Sequence, residues 1–215
     1  MKKKMILRYL IFLIGLFLTG TGIALTIKSE IGSTPMSIVP LVLSSVLPLS
    51  FGQMNFIWSL SFVFVQMLIL GKEFTKKQYI QFLICLIFGL FIDLGLKIFE
   101  QLYPVSYLEK LIILFAGITI LGLGIYLQVL AKVIINPGEG IVKAIAYKTK
   151  LKFGNVKIYF DLTVLLMGVI LSLLLLHKII GVREGTLIIA VVTGTVVKFF
   201  KWLFEHLEVD RLYEN

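Results

Sequence analysis

Six apolar runs, at residues 6–27, 54–70, 79–99, 111–130, 158–176 and 186–204, set the terms on which this chain folds. Each is close to the ~20 residues that an α-helix needs to cross the hydrocarbon core of a bilayer. With 59% hydrophobic and only 15% charged residues, and a mean hydropathy of +1.01, the chain cannot supply the charged coat that a soluble core of this size requires. The expected fold class is therefore an all-α membrane protein of about six transmembrane helices. Met1-Lys2-Lys3-Lys4 before the first run resembles the start of a signal peptide, but the run is too long for one and lacks an Ala-x-Ala cleavage site. It reads as an uncleaved first helix.

The net charge of +9 would suggest nucleic acid in a soluble protein. Here the lysines lie in short segments between apolar runs, where basic residues mark the cytoplasmic side and meet anionic lipid. Placing Lys72, Lys76 and Lys77 inside also puts the basic connection at 131–157 inside, with Lys132, Lys143, Lys148, Lys150, Lys152 and Lys157. Lys201 and Arg211 bring the C-terminus to the same side, and Lys178 and Arg183 form the exception in a short outer loop. The expectation is a multi-pass protein of the cell membrane with both termini cytoplasmic and no nucleic-acid partner.

The chain also matches itself at a shift of 102 residues, pairing Gly15 with Gly117, Gly20 with Gly122, Gly22 with Gly124, Pro35 with Pro137, Phe51 with Phe153 and Gly52 with Gly154. Past His177 the shift becomes 105, pairing Gly89 with Gly194, Phe99 with Phe204, Glu100 with Glu205 and Leu102 with Leu207. Two halves follow, 1–105 and 106–215. Each holds three spans, and an odd number forces the second to run inverted through the membrane. Inverted repeats recur in secondary transporters, which bind substrate at the midplane between halves. Duplication merely to build a stable bundle is the plainer alternative.

After the first span of each half the chain breaks, at Ile31-Gly32-Ser33-Thr34-Pro35-Met36-Ser37 and at Ile135-Asn136-Pro137-Gly138-Glu139-Gly140. Proline lacks a backbone donor and favours a helix start, while glycine permits unusual angles. A short re-entrant or interfacial helix is expected after each break, running to about Leu47 and Tyr147. Irregular backbone at membrane depth is tolerated only against protein or a watery cavity. Ser33, Thr34, Pro35, Ser37, Asn136, Pro137, Gly138, Glu139 and Gly140 are therefore the candidate substrate-binding residues. Helix starts there would suit an anion or a carboxylate, while a pair of turns at the headgroups is the bland reading. Glu139 could bind a cation or proton, or cap its helix. Asp161, one turn into the fifth span, joins the candidates, with an ion pair to Lys198 as its structural alternative, and Asp93 lies near an interface. The glycines of the first and fourth spans suit close helix packing.

Nothing in the chain points to catalysis. Gly-x-Ser-x-Gly, Walker A, His-Glu-x-x-His and paired-carboxylate motifs are absent. His177 and His206 have no second ligand at a metal-like spacing, and the lone Cys85 reads as a small buried residue. No metal, no cofactor and no enzymatic activity are expected. The partners implied are the lipid bilayer and a small-molecule substrate, and a homo-oligomer is compatible with the sequence.

The stretch 136–140, then Ala144-Ile145-Ala146-Tyr147-Lys148-Thr149, Phe153-Gly154-Asn155-Val156-Lys157 and Asp161-Leu162-Thr163, resembles the YczE/YitT group of bacterial membrane proteins. Gly20-x-Gly22-Ile23-Ala24-Leu25 and Gly32-Ser33-Thr34-Pro35 are similar too, so the likeness covers nearly the whole chain. It implies a bacterial cytoplasmic-membrane protein with several helices and supplies no substrate. Two functions compete on these grounds: a small-solute transporter or facilitator, and an accessory subunit docking a partner through the basic segment 143–157. Lipid handling in a groove between the halves is a third, weaker idea.

Overall fold

The structure is a computed structural model in which residues 2–206 are described. Arg211 and the Leu102–Leu207 match therefore lie outside the described residues. Eight α-helices and no strand occur among them: α1 (Lys2–Lys28), α2 (Ile38–Ser44), α3 (Phe51–Leu70), α4 (Ile80–Ile98), α5 (Tyr107–Ala131), α6 (Pro137–Thr149), α7 (Phe153–Leu176) and α8 (Glu184–His206). All but α2 and α6 are long and apolar enough to cross a membrane. The six expected runs are these helices, five of them extended by up to a turn or so, while α4 is one residue shorter than its run at each end. Ser50 with Gln53 and Ser106 with Glu109 form reciprocal capping boxes that start α3 and α5, satisfying backbone N–H groups that a helix start otherwise leaves bare.

Large apolar side chains face outward along the spans, Leu68, Leu90, Leu166, Leu174 and Val191 among them. Water would penalise such a surface and lipid does not. The protein is an integral membrane protein.

Helix α1 is the axis of the bundle. It packs along most of α5 and also along α4, burying Phe12, Leu16 and Ile23 against Ile92, Leu114 and Ile118. Glycine makes the α1–α5 seam close: a Cβ on Gly22 would sit 2.6 Å from the backbone nitrogen of Leu121, and one on Gly15 2.8 Å from the Gly124 carbonyl oxygen. Around this pair, α3 packs on α4 and α8 packs on α5. The short helices cross over: α2 packs against α7 and α6 against α3.

The bundle has two distinct ends. The basic end gathers Lys72, Lys76 and Lys77 after α3 with Lys143, Lys148, Lys150 and Lys152 around α6, joined by a Lys148–Glu73 ion pair of 3.6 Å. At the far end, Lys110 pairs with the Glu30 carboxylate and Arg183 with that of Glu184, while Lys28 donates to the backbone carbonyl of Glu100 and Arg183 to that of Glu30.

Candidate functional site

Each Pro break turns the chain back from the end at which it arrived, so the two approach inside the bundle. At the first, Pro35–Ser37 forms a 3-10 turn that leads into α2, which has only seven residues and ends at Ser44 rather than near Leu47. A helix that short carries little dipole. At the second, Pro137 opens α6 with Asn136 as its cap, the side chain accepting from the Gly138 N–H at 3.3 Å. Asn136, not Glu139, thus satisfies the helix start. The breaks touch: a Cβ on Gly138 would lie 2.7 Å from Met36 Sδ. Gln66 of α3 fixes α6 from the other side, its Nε2 donating to the Pro137 carbonyl at 3.2 Å.

A cavity of about 1460 Å³ lies where the breaks meet. Thr34, Pro35, Ser37, Asn136, Gly138, Glu139, Gly140 and Asp161 line it, as the sequence leads one to expect. Ser33 and Pro137 do not. The Ser33 N–H donates to the Gly181 carbonyl at 2.9 Å, and Ser33 belongs instead to a cavity of about 90 Å³ at the far end. Toward the basic end the large cavity is lined by Lys77, Lys132, Lys143 and Lys198.

Both candidate carboxylates are paired, and by one lysine. Lys157 Nζ lies 2.8 Å from Asp161 Oδ1 and 3.5 Å from Glu139 Oε1. Four residues of helix place Lys157 and Asp161 on one face, so the partner of Asp161 is Lys157 and not Lys198. One cation between two carboxylates leaves this patch with a single net negative charge, against four lining lysines that have no ion pair among the described residues. Asp93 holds two helices together. Its Oδ1 accepts from the Gly52 N–H at 2.7 Å and its Oδ2 from the Ser50 hydroxyl, closing the start of α3 from α4.

Deeper in the cavity wall are four residues that charge and breaks did not reveal. Asn55 Nδ2, Trp58 Nε1, Gln81 Oε1 and Thr193 Oγ1 are buried polar atoms with no partner. An unpaired polar atom buried to this extent costs ~1–3 kcal/mol. The available signal was an amide inside an apolar run, Asn55 in the second and Gln81 in the third. By contrast Gln128 is fully engaged: it accepts from Asn136 Nδ2 at 3.4 Å and donates to Thr19 Oγ1 at 2.6 Å, tying the second break to α1. Among the described residues no cluster of three or more His, Cys, Asp and Glu has metal-binding geometry.

Residues 6–202 match the sequence profile of DUF6198, a family of unknown function. The chain belongs to that family. It is 33% identical over 127 residues to the uncharacterized protein YyaS of Bacillus subtilis, a match that takes in 57% of this chain and 61% of YyaS. The chain thus spans about three fifths of the length of that relative. An uncharacterized protein of Haemophilus influenzae is 24% identical over 191 residues, covering 88% of this chain and 81% of its own. No solved structure matches.

Proposed function

We propose that this chain is a small-solute secondary transporter or facilitator for an anion or a carboxylate. It is built from two inverted halves, 1–105 and 106–215, with both termini on the cytoplasmic side. The observation that carries the reading is the cavity of about 1460 Å³ between the breaks, which is lined by lysines of the basic end. A membrane helix bundle that served only as an anchor has no use for so large a cavity at its centre, since voids cost stability.

The inverted arrangement is supported by the way the helices pair. The packing of α1 on α4 has a counterpart in that of α5 on α8, and the packing of α2 on α7 has one in that of α6 on α3. Orientation is supported by charge, because the uncompensated lysines gather at one end. The same lysines favour an anionic substrate by raising its concentration at the mouth. Asn55, Trp58 and Thr193 line the same cavity with neutral polar side chains, whose buried donors would need a rotamer change to reach an acceptor group. The resemblance to the YczE/YitT group agrees with a bacterial cytoplasmic membrane.

Purified protein in liposomes, assayed for uptake, exchange and binding with panels of small anions and amino acids, tests this. Saturable movement that is lost on replacing Asn55 with Leu is the expected result. The absence of uptake, exchange and binding across the panels would sink the reading.

A second reading rests on Lys148, Lys150 and Lys152, which are exposed at the basic end. They suit an accessory subunit that docks an acidic partner. Crosslinking in native membranes separates the two: a stoichiometric partner that disappears when these lysines become Gln favours docking.

A further inference from the structure

The two ends of the cavity are made from corresponding parts of the two halves, and they are in opposite states. At the far end the free ends of α3 and α4 are shut. A Cβ on Gly52 would lie 2.1 Å from the Gly89 carbonyl oxygen, so the two backbones touch, and Asp93 seals the joint. The break at 31–33 is strapped to the turn at 181–186 as well: Gly185 N–H donates to the Ile31 carbonyl at 2.8 Å and Ser33 N–H to that of Gly181 at 2.9 Å.

At the basic end the matching places are parted. Gly154 and Gly194 stand at the positions of Gly52 and Gly89, yet a Cβ on either would meet nothing within 4 Å. Helix α7 does not pack along α8 as α3 packs along α4. Residues 133–135, which correspond to the strapped 31–33, line the open cavity with Lys77 and Gln81, and no backbone hydrogen bond joins them to the α3–α4 turn among the described residues. Lys198 stands where Asp93 does, facing the cavity that holds Asp161.

Glycine inside a helix lowers stability relative to alanine, and the usual compensation in a membrane helix is close approach of a neighbour. Gly52 and Gly89 have that compensation. Gly154 and Gly194, in this conformation, do not.

Resting on the transport reading, we infer that this conformation is one of a pair. In the other, α7 and α8 close at Gly154 and Gly194 while α3 and α4 part at Gly52 and Gly89, so that the cavity faces the far end. The exchange breaks one glycine crossing and makes one, and it releases one strap as the corresponding strap forms. The glycine crossing and the strap that break are replaced by a crossing and a strap of the same kind, while the Asp93 joint has no counterpart at Lys198, so the exchange costs one carboxylate joint and little else. Rocking of one repeat against the other about a fixed site is the general form of such a change.

The test uses full-length protein in oriented proteoliposomes. Cys85 is the sole cysteine and is buried, so Cys85→Ala provides the background, and Ala190→Cys places a reporter in the cavity wall. A membrane-impermeant maleimide should label the reporter from either side of the membrane. Adding Gly194→Leu should leave labelling from the basic side intact and cut labelling from the far side about tenfold or more, as expected when one state is removed from the population. Independently, the Gly154→Cys, Gly194→Cys pair without the reporter should form a disulfide under oxidation, which requires Cα atoms within about 7 Å, and the reaction should need the closed state.

Labelling from the basic side alone, together with no disulfide in the pair, overturns the inference. Labelling from both sides without movement of any solute keeps the two conformations and removes the transport reading. Solute movement with one-sided labelling and no disulfide does the reverse, leaving a facilitator of fixed shape.

Discussion

Helices α1 and α5 form a seam of glycines with no room to spare, whereas α7 and α8 carry glycines that face open space. In the most apolar stretch of α1, 61% is buried inside the protein; in α8 the figure is 6%. The same residue type, repeated at matching positions in the two halves, thus serves close packing at the centre and clearance at the edge. A glycine in a membrane helix marks a place where something must come near. It does not say when.

This contrast can be broken most directly at Gly22. A leucine there would drive its Cβ into the Leu121 backbone and should cost about 3 kcal/mol, the upper part of the usual range for overpacking. The variant should lose its monodisperse peak in detergent or melt far below the parent. Parent-like melting would show that the seam is looser than the 2.6 Å approach implies.

Gln128 sharpens the same point through hydrogen bonds. Gln128→Leu strips Thr19 and Asn136 of a partner and should lower stability by about 1 kcal/mol, within the range found for interhelical bonds in membranes. Adding Thr19→Val should recover part of the loss, because removing both members of a pair is cheaper than orphaning one. If the double variant melts lower than the single, the bond is not what holds α1 to the second break.

At the open edge the sign should reverse. Gly194→Ala meets no neighbour, so helix propensity alone acts, and a stability gain of about 0.8 kcal/mol is expected, read as a raised thermal midpoint. A loss there would mean that Gly194 is already in contact with α7 or another chain. The smallest effect belongs to Lys148→Ala. Its pair with Glu73 leaves both side chains 49% exposed, and such a pair contributes ~0.5 kcal/mol or less, diminishing with salt.

Much of the architecture was legible because a bilayer demands long apolar runs, and these cannot be disguised by local propensity. The breaks were legible for a related reason: Pro35 and Pro137 cannot lie within a regular span. Their surroundings were not. Ser33 looked like a cavity residue and is instead strapped to Gly181 by its backbone, a bond between parts of the chain that share no local pattern. Asp161 pairs with Lys157 because they lie one turn apart, where depth alone had suggested Lys198. Asn55 and Gln81 are single amides in greasy segments, and only packing reveals that their polar atoms lack partners.

By itself, then, the order of residues determined the solvent, the number of long apolar helices, the self-match at a shift of 102 and the positions of the two breaks. Each of these follows from hydropathy, proline geometry or self-similarity, all of which act along the chain. Which glycines touch, which end of the cavity is shut and which lysine serves the two carboxylates were decided by tertiary structure. They depend on distances between helices that no single helix encodes.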